Sequence, residues 1–195
     1  MDSATARAVC GVVLDGRVVA AASAEGGHAA QRSLVLVDEV LARARLEASE
    51  LSRVVVGCGP GSFTGLRIGI ATARGLALGL GVPCEGVSTL AALAAAAPGA
   101  LALIDARRGE LFTLDAAGDE VVAQPGDVAA RSAGALCVGD GALRYRSLLE
   151  AAGAVVPPDD DPRHAPGPAT LAELAAGAPA EPIYVRRPDA EPRVA

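Results

Sequence analysis

The chain has 195 residues, of which 51% are hydrophobic and only 2% aromatic, so its core must be built from Val, Leu, Ala and Ile. A formal net charge of −6 and the complete absence of lysine leave no basic surface of the kind that tracks nucleic-acid phosphates unaided. No uninterrupted apolar run reaches the roughly 18 residues of a membrane span and the N-terminus has no signal-peptide layout, so a cytoplasmic protein with no membrane partner is expected.

In chain order, Val9 to Leu14 and Arg17 to Ala22 read as strands joined by Asp15-Gly16, a type I′ hairpin signal. His28, one of two histidines, precedes a helix over Gln31–Leu46 and suits a loop or cap, since no second ligand lies near it. Leu34, Val37, Leu41 and Ala44 recur at i, i+3, i+7 and i+10 as the expected inward stripe of that helix. Val35, Leu36 and Val40 widen the apolar surface and point to a second packing partner.

The organising stretch is Arg53 to Leu80, RVVVGCGPGSFTGLRIGIATARGLALGL. Val54 to Val56 is a buried strand by its β-branched run, and Gly57 to Gly65 a glycine-dense loop with Pro60 fixing one φ. The loop, Gly59, Pro60, Gly61, Ser62, Phe63, Thr64 and Gly65, leads into a helix of about 16 residues, with Ser62 and Thr64 as N-cap candidates. Gly65, Gly69, Ala73 and Ala77 follow at i+4 spacing. Each helical glycine costs about 1 kcal/mol against alanine, so this seam implies a close approach, either by the protein's own sheet or by a second chain. Arg67 and Arg74, seven apart, give one face a cationic edge. Strand, glycine loop and helix N-terminus also suggest a phosphate cradle, but no lysine follows the last glycine and the glycine spacing fits a dinucleotide site poorly. From the residues alone a structural turn is favoured.

Beyond this stretch, Thr89 to Ala97 reads as a helix stopped by Pro98-Gly99, and Leu101 to Ile104 as a short strand. Leu111–Leu114 and Glu120–Ala123 form an expected hairpin around Ala116-Ala117-Gly118, and Leu136–Val138 a further strand ending in Gly139-Asp140-Gly141. Arg144–Ala152 and Thr170–Ala176 read as short helices flanking the proline-rich loop Pro157–Pro168. Asp105 and Glu110 are expected to be exposed turn carboxylates, Asp159-Asp160-Asp161 a solvated run, and His164 an exposed side chain. Cys10, Cys58, Cys84 and Cys137, without a CxxC pair, read as buried reduced thiols.

GPGSFTGLRIGIATARGLALGL, followed by Gly86-Val87-Ser88-Thr89-Leu90, resembles the signature of the bacterial TsaB (YeaZ) family, a Gcp-like, degenerate paralogue of the catalytic subunit TsaD. The likeness is strong from about Asp2 to Gly109 and returns at Glu181 to Glu191, EPIYVRRPDAE. It implies an actin-like ATPase (ribonuclease H-like) fold of class α/β in two lobes, residues 1–104 and a shortened lobe over 105–195. Asp2 and Thr5 stand where such folds place their first phosphate motif. The apolar strand expected before Asp2 is absent, so either that strand is shortened or the start lies upstream. In TsaD the segment matching Gly86 to Leu93 carries an HxxxH metal pair; here those positions are Thr89 and Leu93, and leucine cannot ligate.

The resemblance therefore implies a pseudo-enzyme without cofactor or metal. It would be a scaffold and dimerisation subunit for threonylcarbamoyl transfer to the adenosine beside the anticodon, in tRNAs reading codons that begin with A. Its implied partners are a TsaD-like paralogue, a TsaE-like ATPase and, alone, a second copy, with tRNA reached only through the complex. The two long helices are the expected contact, through Leu36, Val40, Arg67, Gly69, Ala73, Arg74 and Ala77. Two other classes stay open: a small ATPase or kinase of the actin-like superfamily, using the Asp2 loop and the Gly139-Asp140-Gly141 turn, and a metallopeptidase, for which the sequence offers no ligands.

Overall fold

A computed structural model describes residues 1–26 and 28–185. Strand β1 (Arg7–Leu14) turns back into β2 (Arg17–Glu25) where Asp15 and Gly16 take positive φ of 50° and 74°, as a type I′ turn demands. Helix α1 (Ser33–Ala44) lies on one face of this hairpin and closes a core of Ala8, Cys10, Val12, Leu36 and Val40. Strand β3 (Val54–Gly57) feeds α2 (Phe63–Leu80), which returns to β4 (Cys84–Val87), parallel to β3, and then to α3 (Thr89–Ala96). The second half adds β5 (Leu101–Ala102), the antiparallel meander β6 (Ile104–Arg107), β7 (Glu110–Leu114) and β8 (Glu120–Ala123), then α4 (Pro125–Ala130) and β9 (Cys137–Val138), parallel to β5. Helices α5 (Asp140–Arg144), α6 (Arg146–Ala151) and α7 (Pro168–Leu174) complete the described residues. The class is α/β, with short mixed sheets.

Met1 and Asp2 lie between β1 and β3. Asp2 exchanges both backbone hydrogen bonds with Val9, at 2.9 and 2.8 Å. On the other side Gly57 N–H donates to the Met1 carbonyl at 2.9 Å, and the Met1 amine donates to the Val55 carbonyl at 2.8 Å. Two residues thus join the hairpin to the β3–β4 pair as a strand stub, antiparallel to β1 and parallel to β3. Helix α7 packs on the hairpin face opposite α1, where Pro168 lies against Gly11.

The structure corrects several expectations. The inward stripe of α1 is Ser33, Leu36, Val40 and Leu41, whereas Leu34 and Val35 are 61% and 55% exposed. Apolar residues surround most of this helix, so its periodicity had more than one solution and the hairpin selects one. Leu36 and Val40, each 1% exposed, are core residues and unavailable to a partner. Helix α2 runs to 18 residues, and Ser62, not Thr64, caps it by accepting from Gly65 N–H. The segment Leu101–Ile104 divides at Leu103 into two strands, and Arg144–Ala152 divides at Tyr145 into two helices. His164 is buried at 3% exposure because the proline-rich loop folds inward as a turn of 3-10 helix. Its Nδ1 accepts from Gly139 N–H at 3.1 Å, so Nε2 carries the proton and donates to the Pro157 carbonyl at 3.2 Å.

Candidate functional site

The glycines of the signature stretch are spaced to receive the chain's own N-terminal segment. A Cβ on Gly57 would lie 1.6 Å from Asp2 Oδ2, and on Gly61, 2.3 Å from the Ala4 carbonyl oxygen. On Gly65 it would meet the Ser3 carbonyl oxygen at 2.1 Å, and on Gly69, Ser3 Oγ at 2.3 Å. Residues 2–4 therefore lie flat on the loop and the first turns of α2, held by Ser62 N–H to the Ala4 carbonyl at 2.7 Å and Ser3 Oγ–H to the Gly65 carbonyl at 2.9 Å. Further along, Ala73 and Ala77 face Val54, Val56 and Ile70 in the protomer's own core. Gly69, Ala73 and Ala77 are thus corrected as interface residues: the seam of small side chains is closed from inside.

At the centre, Asp2 is 1% exposed and Thr89 is wholly buried. Thr89 Oγ1 donates to Asp2 Oδ2 at 2.5 Å and accepts from Gly59 N–H at 3.0 Å, while Asp2 Oδ1 accepts from Ala4 N–H at 2.8 Å. Burial pushes the Asp2 carboxyl above its ordinary range, against the pull of the Thr89 and Ala4 hydrogen bonds and the N-terminal ammonium. The sequence pointed to Thr89 only as a missing metal ligand. Its place as the bridge between the N-terminal segment and the Gly59-Pro60 turn, where the peptide bond is cis, carried no sequence signal. Thr5 Oγ1 donates to the Arg7 carbonyl at 2.9 Å. The loop's N–H groups at Gly57, Cys58, Gly59, Ser62 and Gly65 bond within the chain, to Met1, Val87, Thr89, Ala4 and Ser62 respectively, and residues 2–4 pack against the glycines of the apparent phosphate cradle.

The Asp2 loop does meet the Gly139-Asp140-Gly141 turn. Asp140 accepts from Ala6 N–H at 2.9 Å and from Asp105 N–H at 3.0 Å, and burial pushes its carboxyl upward too. Asp105, expected to be exposed, is only 8% exposed and ion-pairs with Arg107 at 3.1 Å and Arg144 at 3.6 Å. In the acidic run, Asp161 caps the 3-10 turn through Arg163 N–H at 2.9 Å and pairs with the Arg163 guanidinium, which holds its carboxyl well below the usual range. Cys10, Cys58 and Cys137 are buried and Cys84 is half-buried; all four are free thiols, and burial pushes Cys58 up to about 11, far from a reactive thiolate. Among the described residues no group of three His, Cys, Asp or Glu side chains could hold a metal ion. No helix among them is long and apolar enough to cross a membrane.

The outer face of α2 is different in kind. Thr64, Arg67, Ala71, Arg74, Gly75 and Leu78 are exposed along one stripe, with Leu78 at 85%. The Arg67 guanidinium lies 3.9 Å from the centroid of the Phe63 ring, itself 53% exposed, and Arg67 Nε donates to Tyr184 Oη at 3.4 Å. A Cβ on Gly75 would meet nothing within 4 Å among the described residues, so none of them requires glycine there. Arg67 and Arg74 keep the exposed positions expected of them. Of the C-terminal segment Glu181–Glu191, residues 186–191 lie outside the described residues; within it Ile183 N–H donates to the Cys58 carbonyl at 2.7 Å.

An α/β chain whose N-terminal segment is clamped by a glycine loop is the class these features define. Residues 23–135 match the family model described as TsaD, tRNA N6-adenosine threonylcarbamoyltransferase. The chain is 42% identical over 124 residues to the tRNA threonylcarbamoyladenosine biosynthesis protein TsaB of Escherichia coli (strain K12), covering 60% of this chain and 54% of that relative. It is 37% identical over 186 residues to the uncharacterised protein Rv3421c of Mycobacterium tuberculosis (strain H37Rv), covering 93% and 84%. YeaZ from Pseudomonas aeruginosa superposes with a TM-score of 0.72 at 29% identity, covering 94% of this chain and 96% of that one. The chain belongs to the TsaB (YeaZ) family. Its match spans about half the length of the Escherichia coli relative.

Proposed function

We propose that this protein serves tRNA threonylcarbamoyladenosine biosynthesis as a non-catalytic scaffold, built on an actin-like, two-lobed frame divided near residue 104. It docks a TsaD-like catalytic paralogue, and in its absence a second copy, and helps form the seat of a TsaE-like ATPase. The observation that carries this reading is the outer stripe of α2. It is a helix face with small residues at Ala71 and Gly75, apolar Leu78 at one end and the Phe63–Arg67–Tyr184 cluster at the other, left exposed by the described residues. Small residues at a helix crossing allow axes nearer than the usual 8–10 Å. The −6 charge and the scarcity of aromatic side chains support a partner-mediated route to tRNA.

The test is reconstitution of threonylcarbamoyl transfer with the host's TsaD-like and TsaE-like proteins, with this chain omitted, present, or carrying Leu78→Glu. Transfer should require the chain and fall at least tenfold with Leu78→Glu, while this chain alone binds tRNA no tighter than micromolar. Full transfer without the chain, or sub-micromolar tRNA binding by it alone at physiological salt, defeats the reading. A small ATPase is the second reading, because Ala6, on the loop that follows Asp2, donates its N–H to Asp140; ATP turnover by the isolated chain that Asp140→Asn abolishes would put it first.

A further inference from the structure

Strand β2 is the outer strand of its hairpin, paired among the described residues with β1 alone. Val9 exchanges its backbone hydrogen bonds with Asp2, so β1 bonds β2 through Ala8, Cys10 and Val12. The same alternation turns the N–H and C=O groups of Ala21 and Ser23 outward, away from β1. A bulge that adds Val19 to β2 ends the regular edge on one side, leaving residues 20–25. Among the described residues the Arg43 guanidinium is the one group bonded to this edge, donating to the Ala21 carbonyl at 2.8 Å.

Exposed edges are commonly guarded by lysine, proline or an inward-pointing charge. Residues 20–24 are Ala-Ala-Ala-Ser-Ala and carry none of these. The cover lent by Arg43 is the far end of a flexible side chain, 56% exposed, whose ion-pair partner Glu39 lies one turn earlier on α1. The edge lies in a groove of about 420 Å³, bounded by Glu39 and Arg43 on the α1 side and by Pro162, Ala165 and Pro166 on the other. Helix α1 follows β2 in the chain and returns along it, so Glu39 stands nearer the Glu25 end of the edge and Arg43 at Ala21.

We propose that this edge pairs with the same edge of a second copy, β2 against β2, antiparallel about a twofold axis at Ala22. The edge is complementary to itself in register, volume and charge. With the axis at Ala22, the outward groups of Ala21 meet those of Ser23 of the second copy, and the reverse, in four backbone hydrogen bonds. Ala20 then faces Ala24 of the second copy and Ala22 its own counterpart, so no bulky side chain opposes the approach. Strand spacing of roughly 4.8 Å sets the two α1 helices roughly 10 Å apart, an ordinary helix packing distance. They run antiparallel, which brings Arg43 of each copy to Glu39 of the other. The guanidinium thus leaves the Ala21 carbonyl for a carboxylate as the Ser23 N–H of the second copy arrives. This inference is independent of the scaffold reading above, because it concerns β2 and leaves the outer stripe of α2 open.

The experiment is sedimentation velocity with amide hydrogen exchange on the Leu78→Glu protein, in which association through α2 is blocked. It should still dimerise at concentrations up to about 100 μM, and exchange at Ala21 and Ser23 should slow by about tenfold or more from the most dilute to the most concentrated sample. Ser23→Pro, at an outward position where an edge strand accepts proline, removes two of the four hydrogen bonds and should weaken the dimer by about tenfold or more. Glu39→Arg should weaken it by a similar factor, and adding Arg43→Glu should restore it, a rescue that does not depend on how well the proline variant folds. A monomer throughout, or a dimer that forms with Ala21 and Ser23 exchanging as fast as in the monomer, would overturn the proposal. So would protection of these two amides only when a TsaD-like partner is added, which would make that partner the occupant of the edge.

Discussion

Replacing Thr89 by valine keeps the shape of the side chain and removes one oxygen, which isolates the bridge at the heart of the fold. The wild-type hydroxyl gives a hydrogen bond to a buried carboxylate and receives one from the buried Gly59 N–H. The first is worth about 1.5–3 kcal/mol, and an orphaned buried N–H costs about 1–3 kcal/mol. Together they predict a loss of about 3–5 kcal/mol, which for a chain of this size lowers the melting temperature by about 10–15 °C. Circular dichroism melts at pH 7 of wild type, Thr89→Ser and Thr89→Val measure it, with serine recovering most of the loss. The pH dependence has a definite sign. Burial raises the Asp2 carboxyl above its ordinary 3.8, so folding takes up a proton there; that stabilisation is full below 3.8 and is lost as pH rises through the folded value. Thr89 is among the groups holding the folded value down, so valine raises it further and the variant's deficit shrinks as the pH is lowered. A Thr89→Val protein within 1 kcal/mol of wild type at pH 7, or a deficit that grows in acid, would refute the reasoning.

Gly75→Ala should stabilise the protomer by about 0.5–1 kcal/mol, because the site is open helix surface, yet weaken association through α2; urea melts and sedimentation velocity read the two signs separately. Ala73→Leu should do the reverse, costing about 1–3 kcal/mol of folding stability by overpacking a fully buried site while the folded fraction associates as wild type. His164→Ala leaves the Gly139 N–H and the Pro157 carbonyl without their partner and should cost about 2–4 kcal/mol in a thermal melt, whereas an exposed histidine would cost almost nothing.

Local chemistry settled what could be read directly from the residues. Asp15-Gly16 specified its turn through the positive φ that both residues tolerate, and the β-branched run Val54–Val56 its buried strand, while Ser62 and Thr64 stayed equal as caps until the structure chose Ser62. The i+4 seam Gly65, Gly69, Ala73 and Ala77 declared that something comes close to the helix backbone, because each helical glycine costs stability against alanine. What comes close was decided only by tertiary structure: at Gly65 and Gly69 it is Ser3, distant in sequence and brought there by the pairing of the stub with β1 and β3, and at Ala73 and Ala77 it is the core beneath β3. The inward face of α1 was equally undetermined, since Leu34, Leu36, Val37, Val40 and Leu41 offer apolar surface on several sides and only the hairpin core chooses among them. Asp105 and His164 looked like surface residues because sequence records composition and not depth; their ion pairs and backbone hydrogen bonds come from partners far along the chain, and these are what allow polar groups to be buried. Thr89 makes the same point: its hydroxyl matters because folding sets it between Asp2 and Gly59, a coincidence of three segments that no local pattern encodes.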